Sequence, residues 1–254
     1  MNRYEALRQK FANCEPVCGT TCTILMDPIV MSKMDHPNLD YILFDGEHGR
    51  YDAQNVFPLL HMCRMMGLPS IVRIQDAHYH LAAKPLDMGA DGIMIPRTET
   101  LEQLKNVIDG FCFYPEGRKG NGGPGQLLPG ETPATFNHSR FLLPQIESPK
   151  GIENLPAMLE TYGQYISAIM IGPYDMSVMV GTPLDIYSDV MTASIQKVFD
   201  ICKSYNKSCG IFCGSVEDAK RFRAMGANVY WTGVDMQFLQ MGVKQTFDQL
   251  AQLK

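Results

Sequence analysis

The stretch YILFDGEHGR, residues 41–50, decides the fold. Tyr41 to Phe44 form an unbroken apolar run, and the chain then turns polar at Asp45-Gly46-Glu47-His48. A strand with one wet face alternates apolar and polar residues, whereas a strand covered on both faces reads as a continuous apolar run. Residues 41–44 are therefore expected to be a buried parallel strand that delivers acids and a histidine at its C-terminal end. Working outward, similar runs are expected to be strands over 19–25, 70–74, 92–96, 141–147, 166–171, 208–213 and 228–232. With the first, that makes eight.

Helix signals separate them. Thr100 can cap a helix carrying Leu101, Leu104, Val107 and Ile108 and ending at Gly110. Ser148-Pro149 is a natural start for a helix with Ile152, Leu155 and Leu159 on one face. Ser215 opens another, with Ala219 and Phe222 inward and Gly226 closing it. Asp52 or Asn55 opens a helix bearing Val56, Leu59, Leu60 and Cys63, provided that Pro58 falls in its first turns. Eight βα units in strict alternation predict a closed (β/α)8 barrel, although a doubly wound open sheet gives a similar pattern. The 254 residues are read as one domain over 1–254, since one such barrel needs about that length. A Gly/Pro-rich segment at 113–138 interrupts the rhythm and reads as a flexible active-site loop.

A net charge of −5 and the lack of a basic patch argue against nucleic acid as a partner. Residues 1–16 lack the apolar run of a secretory signal and no segment reaches the length of a membrane span, so a cytoplasmic location is expected. Cys14, Cys18 and Cys22 are evenly spaced but include no CxxC pair, and the eight cysteines read as reduced, mostly buried thiols. Met62, Met65 and Met66 pack the core or a subunit contact.

Polar residues gather where the apolar runs end, which in a barrel of this kind is the rim that holds active sites. Glu147 and Asp175 form a pair of carboxylates with no soft partner, a set suited to Mg²⁺ or Mn²⁺; the plainer reading is that both cap helices or turns. Asp45 and His48 make a possible acid–base unit, or else a solvated loop. Arg73, inside an apolar run, requires an anion from the protein or from a ligand. His78 and His80 read as loop or helix-start residues, and the glycines at 117–123 match no nucleotide-binding fingerprint.

Six motifs in order, YILFDGEH at 41–48, IVRI at 71–74, LDMGADGIMIP at 86–96, LPQIES at 143–148, IGPYDMS at 171–177 and MGANVYWTGVD at 225–235, resemble the HpcH/HpaI aldolase family. The resemblance implies a class II aldolase that reversibly cleaves a 2-keto-3-deoxy or 4-hydroxy-2-keto acid to pyruvate and an aldehyde. It also implies a divalent metal (Mg²⁺, Mn²⁺ or Co²⁺) on Glu147 and Asp175, and Arg73 as the residue that polarises the substrate. His48, supported by Asp45 and Asp87, is implied as catalytic, with Gln145, Gly172 and Pro173 at the pyruvate. A swapped C-terminal helix and a homo-oligomer, a hexamer or trimer of dimers, come with the resemblance. The loop YPEGRKG at 114–120 departs from the family's usual YPPxGxRG, which leaves the aldehyde open. Two other readings stand beside this one. Another carbon–carbon lyase acting through the same enolate, such as an oxaloacetate decarboxylase or a citrate-lyase-like enzyme, would use the same residues. A non-catalytic metabolite-binding barrel would not require them all.

Overall fold

The computed structural model describes residues 2–253. Eight parallel strands pair in chain order and close into a barrel. They are β1 Val17–Cys22, β2 Tyr41–Asp45, β3 Ser70–Arg73, β4 Gly92–Ile95, β5 Phe141–Ile146, β6 Ala168–Ile171, β7 Ser208–Cys213 and β8 Val229–Val234. The helices are α1 Arg3–Ala12, α2 Pro28–Met31, α3 Phe57–Met66, α4 Tyr79–Asp87, α5 Leu101–Phe111, α6 Pro133–Asn137, α7 Pro149–Tyr162, α8 Pro173–Met179, α9 Asp189–Ser204, α10 Val216–Met225 and α11 Asp235–Ala251. The fold is the (β/α)8 barrel. Among the described residues no helix is long and apolar enough to cross a membrane.

Successive side chains of a strand point to opposite faces, and this period of two builds two cores. Tyr41 and Leu43 of β2 point into the barrel with Ile71, Met94, Leu143, Met170, Val229 and Trp231. Ile42 and Phe44 point outward to the helices with Val72, Ile93, Leu142 and Ile169. Leu7 and Phe11 of α1 join the inner core, and Phe11 packs on Phe141 at the first residue of β5. The same alternation carries Asp45, Arg73 and Gln145 inward at the opposite end.

Thr100, Ser148 and Ser215 cap their helices as expected, accepting from the backbone N–H of Gln103, Gly151 and Asp218. Among the boundaries that differ, three have a clear local reason. β1 stops at Cys22 instead of continuing to 25, because the N–H groups of Thr23, Ile24 and Leu25 turn to the carboxylate of Asp235. α5 passes Gly110 because Cys112 N–H still reaches the Ile108 carbonyl. Asp52 does not open α3: its side chain accepts from Gln54 and Asn55 N–H in a preceding turn, and Pro58 lies in the helix's first turn. Of the three methionines on α3, Met65 is exposed, while Met62 and Met66 pack against the outer core. All eight cysteines are free; Cys14 and Cys18 are half-buried and the rest buried.

The 113–138 segment links α5 to β5, and helix-to-strand links lie at the end of a barrel where strands begin. Within its own chain it is therefore on the face opposite the rim, not a cover over it, and it contains α6. Its backbone is tied down. Arg64 donates to the Gly125 carbonyl (3.0 Å), and Gln126 donates to Asp87 (2.9 Å). Buried Arg140 forks with two bonds of 2.8 Å onto Glu131, whose side chain is 9% exposed. Removing one partner of such a pair strands a buried charge. Arg140→Ala should therefore destabilise the fold by about 3 kcal/mol, read as a lower urea midpoint with an unchanged slope; an unchanged midpoint would mean that the segment is not held by this pair.

Candidate active site

Asp45 and Arg73 are opposite each other in the register of β2 and β3. Arg73 Nε donates to Asp45 Oδ1 at 2.9 Å and Nη2 to Oδ2 at 2.7 Å. The anion that the buried guanidinium needed is thus supplied by the protein. Burial by itself would push the Asp45 carboxyl up, but the Arg73 bonds outweigh it and hold the group below the ordinary carboxylate range. Arg73 also lies over the Trp231 ring, 5.3 Å from its centre. Its Nη1 is 3.3 Å from Glu47, whose other oxygen is 3.3 Å from Arg97 Nε. Burial still leaves Glu47 with a raised pKa.

Glu147 is buried directly beyond β5. Gln145 Nε2 donates to its Oε1 at 2.6 Å, and Arg97 backbone N–H to its Oε2 at 2.8 Å. Burial first, and repulsion from Asp175 and Glu47 next, push its pKa up to about 7 against the Arg97 bond. Asp175 is exposed in the first turn of α8. Gly172 caps that helix, and a Cβ there would collide with Glu147 Oε1, so the site requires glycine. Gln145 Oε1 is buried with no hydrogen-bond partner. Two hard carboxylates, one of them buried and short of counter-charge, beside an orphaned amide oxygen fit a hard divalent cation. Among the described residues no group of three or more His, Cys, Asp or Glu could hold a metal, so water and substrate oxygens would complete the shell.

Asp45, His48, Arg73, Gln145, Gly172, Pro173 and Asp175 line one cavity of about 380 Å³ at this rim. The Asp45–His48 unit takes a different form from the one expected. Asp45 accepts from the backbone N–H of His48 at 3.2 Å and of Glu47 at 3.0 Å, so it shapes the loop, while the imidazole is mostly exposed with Nε2 3.7 Å from Glu47. The chain does not bring Asp87 here. Its carboxylate, at the end of α4, pairs with the buried ammonium of Lys119 on the opposite face. His78 precedes α4 and lies outside the cavity lining.

Three contributors lacked a readable signal. Arg97 acts through its backbone N–H, from a left-handed conformation (φ 47°). Glu47 stands in a motif of several polar residues, none of which declares its partner. Asp235 looks like an ordinary helix start, yet it accepts from Thr23 N–H and Oγ1, Ile24 N–H and Leu25 N–H at 2.7–3.0 Å and so ties β1 to β8 across the barrel mouth.

The family model for HpcH/HpaI aldolase/citrate lyase matches residues 24–240. A 5-keto-4-deoxy-D-glucarate aldolase of Salmonella arizonae is 26% identical over 228 residues, 88% of each chain. A 2-keto-3-deoxy-L-rhamnonate aldolase of Salmonella gallinarum is 29% identical over 207 residues, 77% of this chain and 74% of the relative. The HpcH/HpaI aldolase structure from Desulfitobacterium hafniense superposes with a TM-score of 0.86 at 22% identity, covering 96% of both chains. The family model and these relatives make the barrel a carbon–carbon lyase of the aldolase type. The chain belongs to the HpcH/HpaI aldolase/citrate lyase family.

Burial raises the Asp235 pKa, but the N–H bonds of Ile24, Leu25 and Thr23 outweigh it, and the folded-state pKa is depressed. A depressed carboxylate contributes stability that is present above its unfolded pKa and lost as pH falls through the folded value. Asp235→Asn should thus cost about 2 kcal/mol at neutral pH and flatten the loss of stability below about pH 4. Urea melts between pH 2 and 7 measure this; parallel curves for the two proteins would contradict the assignment.

Proposed function

We propose that this chain reversibly cleaves a 2-keto-3-deoxy or 4-hydroxy-2-keto acid into pyruvate and an aldehyde. One juxtaposition carries the reading: the carboxylates Glu147 and Asp175 stand at the same rim as a guanidinium that Asp45 locks in place. A divalent cation (Mg²⁺, Mn²⁺ or Co²⁺) held by Glu147 and Asp175 would supply Lewis acidity towards the keto acid. Arg73 has five N–H donors, and only Nε–H and one Nη2–H are hydrogen-bonded to Asp45. Nη1 faces Glu47 at 3.3 Å, and the second Nη2–H can meet the keto oxygen, where negative charge gathers as the C3–C4 bond breaks. His48, exposed at the cavity mouth, takes the proton of the C4 hydroxyl, and the electron pair of the broken bond leaves pyruvate as its enolate, which is then protonated at C3. Gln145 and the open first turn of α8 at Gly172 and Pro173 bound the pyruvate end. Among the described residues no lysine lines the cavity, which speaks against a Schiff base.

Retro-aldol cleavage of a panel of such keto acids should be abolished by EDTA and restored by Mg²⁺, Mn²⁺ or Co²⁺. Asp175→Asn should weaken Mn²⁺ binding in calorimetry with the fold intact. Arg73→Ala should slow cleavage, oxaloacetate decarboxylation and deuterium exchange at pyruvate C3 alike, by roughly a hundred- to a thousandfold. His48→Ala should impair cleavage far more than decarboxylation, which has no hydroxyl proton to remove. Equal losses in both reactions would end the division of labour; activity that survives chelation would end the metal reading.

We also infer a homo-oligomer. α11 runs 17 residues and buries only Asp235, leaving Phe238, Leu239, Met241, Val243 and Phe247 about half to two-thirds exposed. A monomer rarely leaves so much contiguous apolar surface in water, and this supports the swapped helix and the hexamer or trimer of dimers that the family resemblance implies. A catalytic part for Asp87, or a covering part for the 113–138 segment, then requires a neighbouring copy, because both lie at the far end of their own barrel. Mixing inactive His48→Ala and Asp87→Asn subunits should restore activity at the sites that have both residues; no recovery on mixing would confine Asp87 to its bond with Lys119.

A further inference from the structure

The cavity is two-sided. On the β2, β3 and β5 side every lining side chain is charged or polar: Asp45, His48, Arg73 and Gln145. On the β6, β7 and β8 side the charged lining side chain is Asp175, assigned to the metal, and beyond it the wall is Pro173, Tyr174, Phe212, Trp231 and Val234. The three aromatics form one chain of contacts. Phe212 meets Trp231 edge to face, with ring centres 5.1 Å apart at 79°, and Tyr174 leans on Phe212 at 6.1 Å. Trp231 is the buried floor, Phe212 is half-buried, and Tyr174 stands exposed at the mouth.

Two of the polar groups next to this wall are engaged within the protein. Trp231 Nε1–H donates to Thr21 Oγ1. Thr23 Oγ1 donates to Asp235 at 2.7 Å. The lining's basic side chains, Arg73 and His48, are both on the other side and both assigned to the reacting atoms. Among the described residues the wall carries no cation for a terminal carboxylate, and its free hydroxyl is that of Tyr174 at the mouth; polar groups desolvated deeper in without partners would weaken binding. A flat apolar group would instead gain area and edge-to-face contacts with the rings.

From this we propose that the aldehyde partner carries an aromatic or otherwise apolar, uncharged body, with Phe212 and Trp231 as its specificity-determining residues. The inference rests on the aldolase reading above and names the acceptor for the same site. The named relatives act on sugar acids, so a shared fold and shared pyruvate chemistry would here serve a different second substrate. A hydrophobic pocket distinguishes substrates by about one to two orders of magnitude per group, which sets the expected scale.

The test uses the full-length, Mn²⁺-loaded enzyme in the synthetic direction, with pyruvate and either benzaldehyde or D-glyceraldehyde. Deuterium exchange at pyruvate C3 is measured first. The expected kcat/KM is roughly tenfold or more higher for benzaldehyde. Phe212→Ala should lower that ratio at least severalfold, through KM for benzaldehyde, and Phe212→Leu should recover part of it. Phe212 is the better probe because Trp231→Ala also removes the ring under the guanidinium. An enzyme that exchanges deuterium yet prefers glyceraldehyde overturns this inference alone. A Phe212→Ala ratio equal to that of the parent enzyme overturns the role of the wall. Failure of the exchange itself overturns the aldolase reading, and the inference with it.

Discussion

A guanidinium buried at the mouth of the barrel constrains everything around it. Arg73 cannot shed its charge, so it must have a carboxylate at bonding distance, and that carboxylate must come from a neighbouring strand held in register. Asp45 meets the requirement at the last residue of β2. A buried ion pair is a poor source of stability, because desolvation offsets most of its attraction. Its value here is positional. With two of its N–H groups fixed on Asp45, Nη1 facing Glu47 and its face on Trp231, Arg73 has little freedom left at the wall of the cavity.

The second constraint is acidity without enough counter-charge. Glu147, Asp175 and Glu47 share a rim with Arg73 and Arg97, and Glu147 is held near neutrality by burial and by its acidic neighbours. Packing enforces the closeness: Gly172 lets α8 begin against Glu147, and any side chain there would drive the two apart. The rim therefore holds more carboxylates than the two arginines beside them can pair. This same rim gives the cavity its two chemically different halves.

Much of the fold was legible in the sequence. Unbroken apolar runs such as 41–44 identified strands covered on both faces, and small polar residues such as Thr100, Ser148 and Ser215 marked helix starts, because both signals are local. The inward set was not legible: in a strand apolar on both faces, the pattern does not say whether Leu43 or Phe44 points into the barrel. Side-chain partners were legible only as types. Arg73 declared its need for an anion, but Asp45, rather than a ligand, supplied it. Asp235 met no local need at all, and its partners lie more than 200 residues away in the chain. The place of the 113–138 segment was in fact encoded by order alone. A link that follows a helix and precedes a strand belongs to the far end of the barrel, however glycine-rich it is.

Arg97 holds Glu147 through an N–H of the main chain, and its guanidinium is spent elsewhere, on Gln75 and Glu47. Every residue except proline offers that N–H. A systematic exchange of side chains would therefore pass over position 97 as a modest surface arginine, while the group that steadies the buried acid stayed untouched in nearly every variant. Part of this enzyme's chemistry is written in the backbone, where neither comparison of sequences nor ordinary mutagenesis can read it.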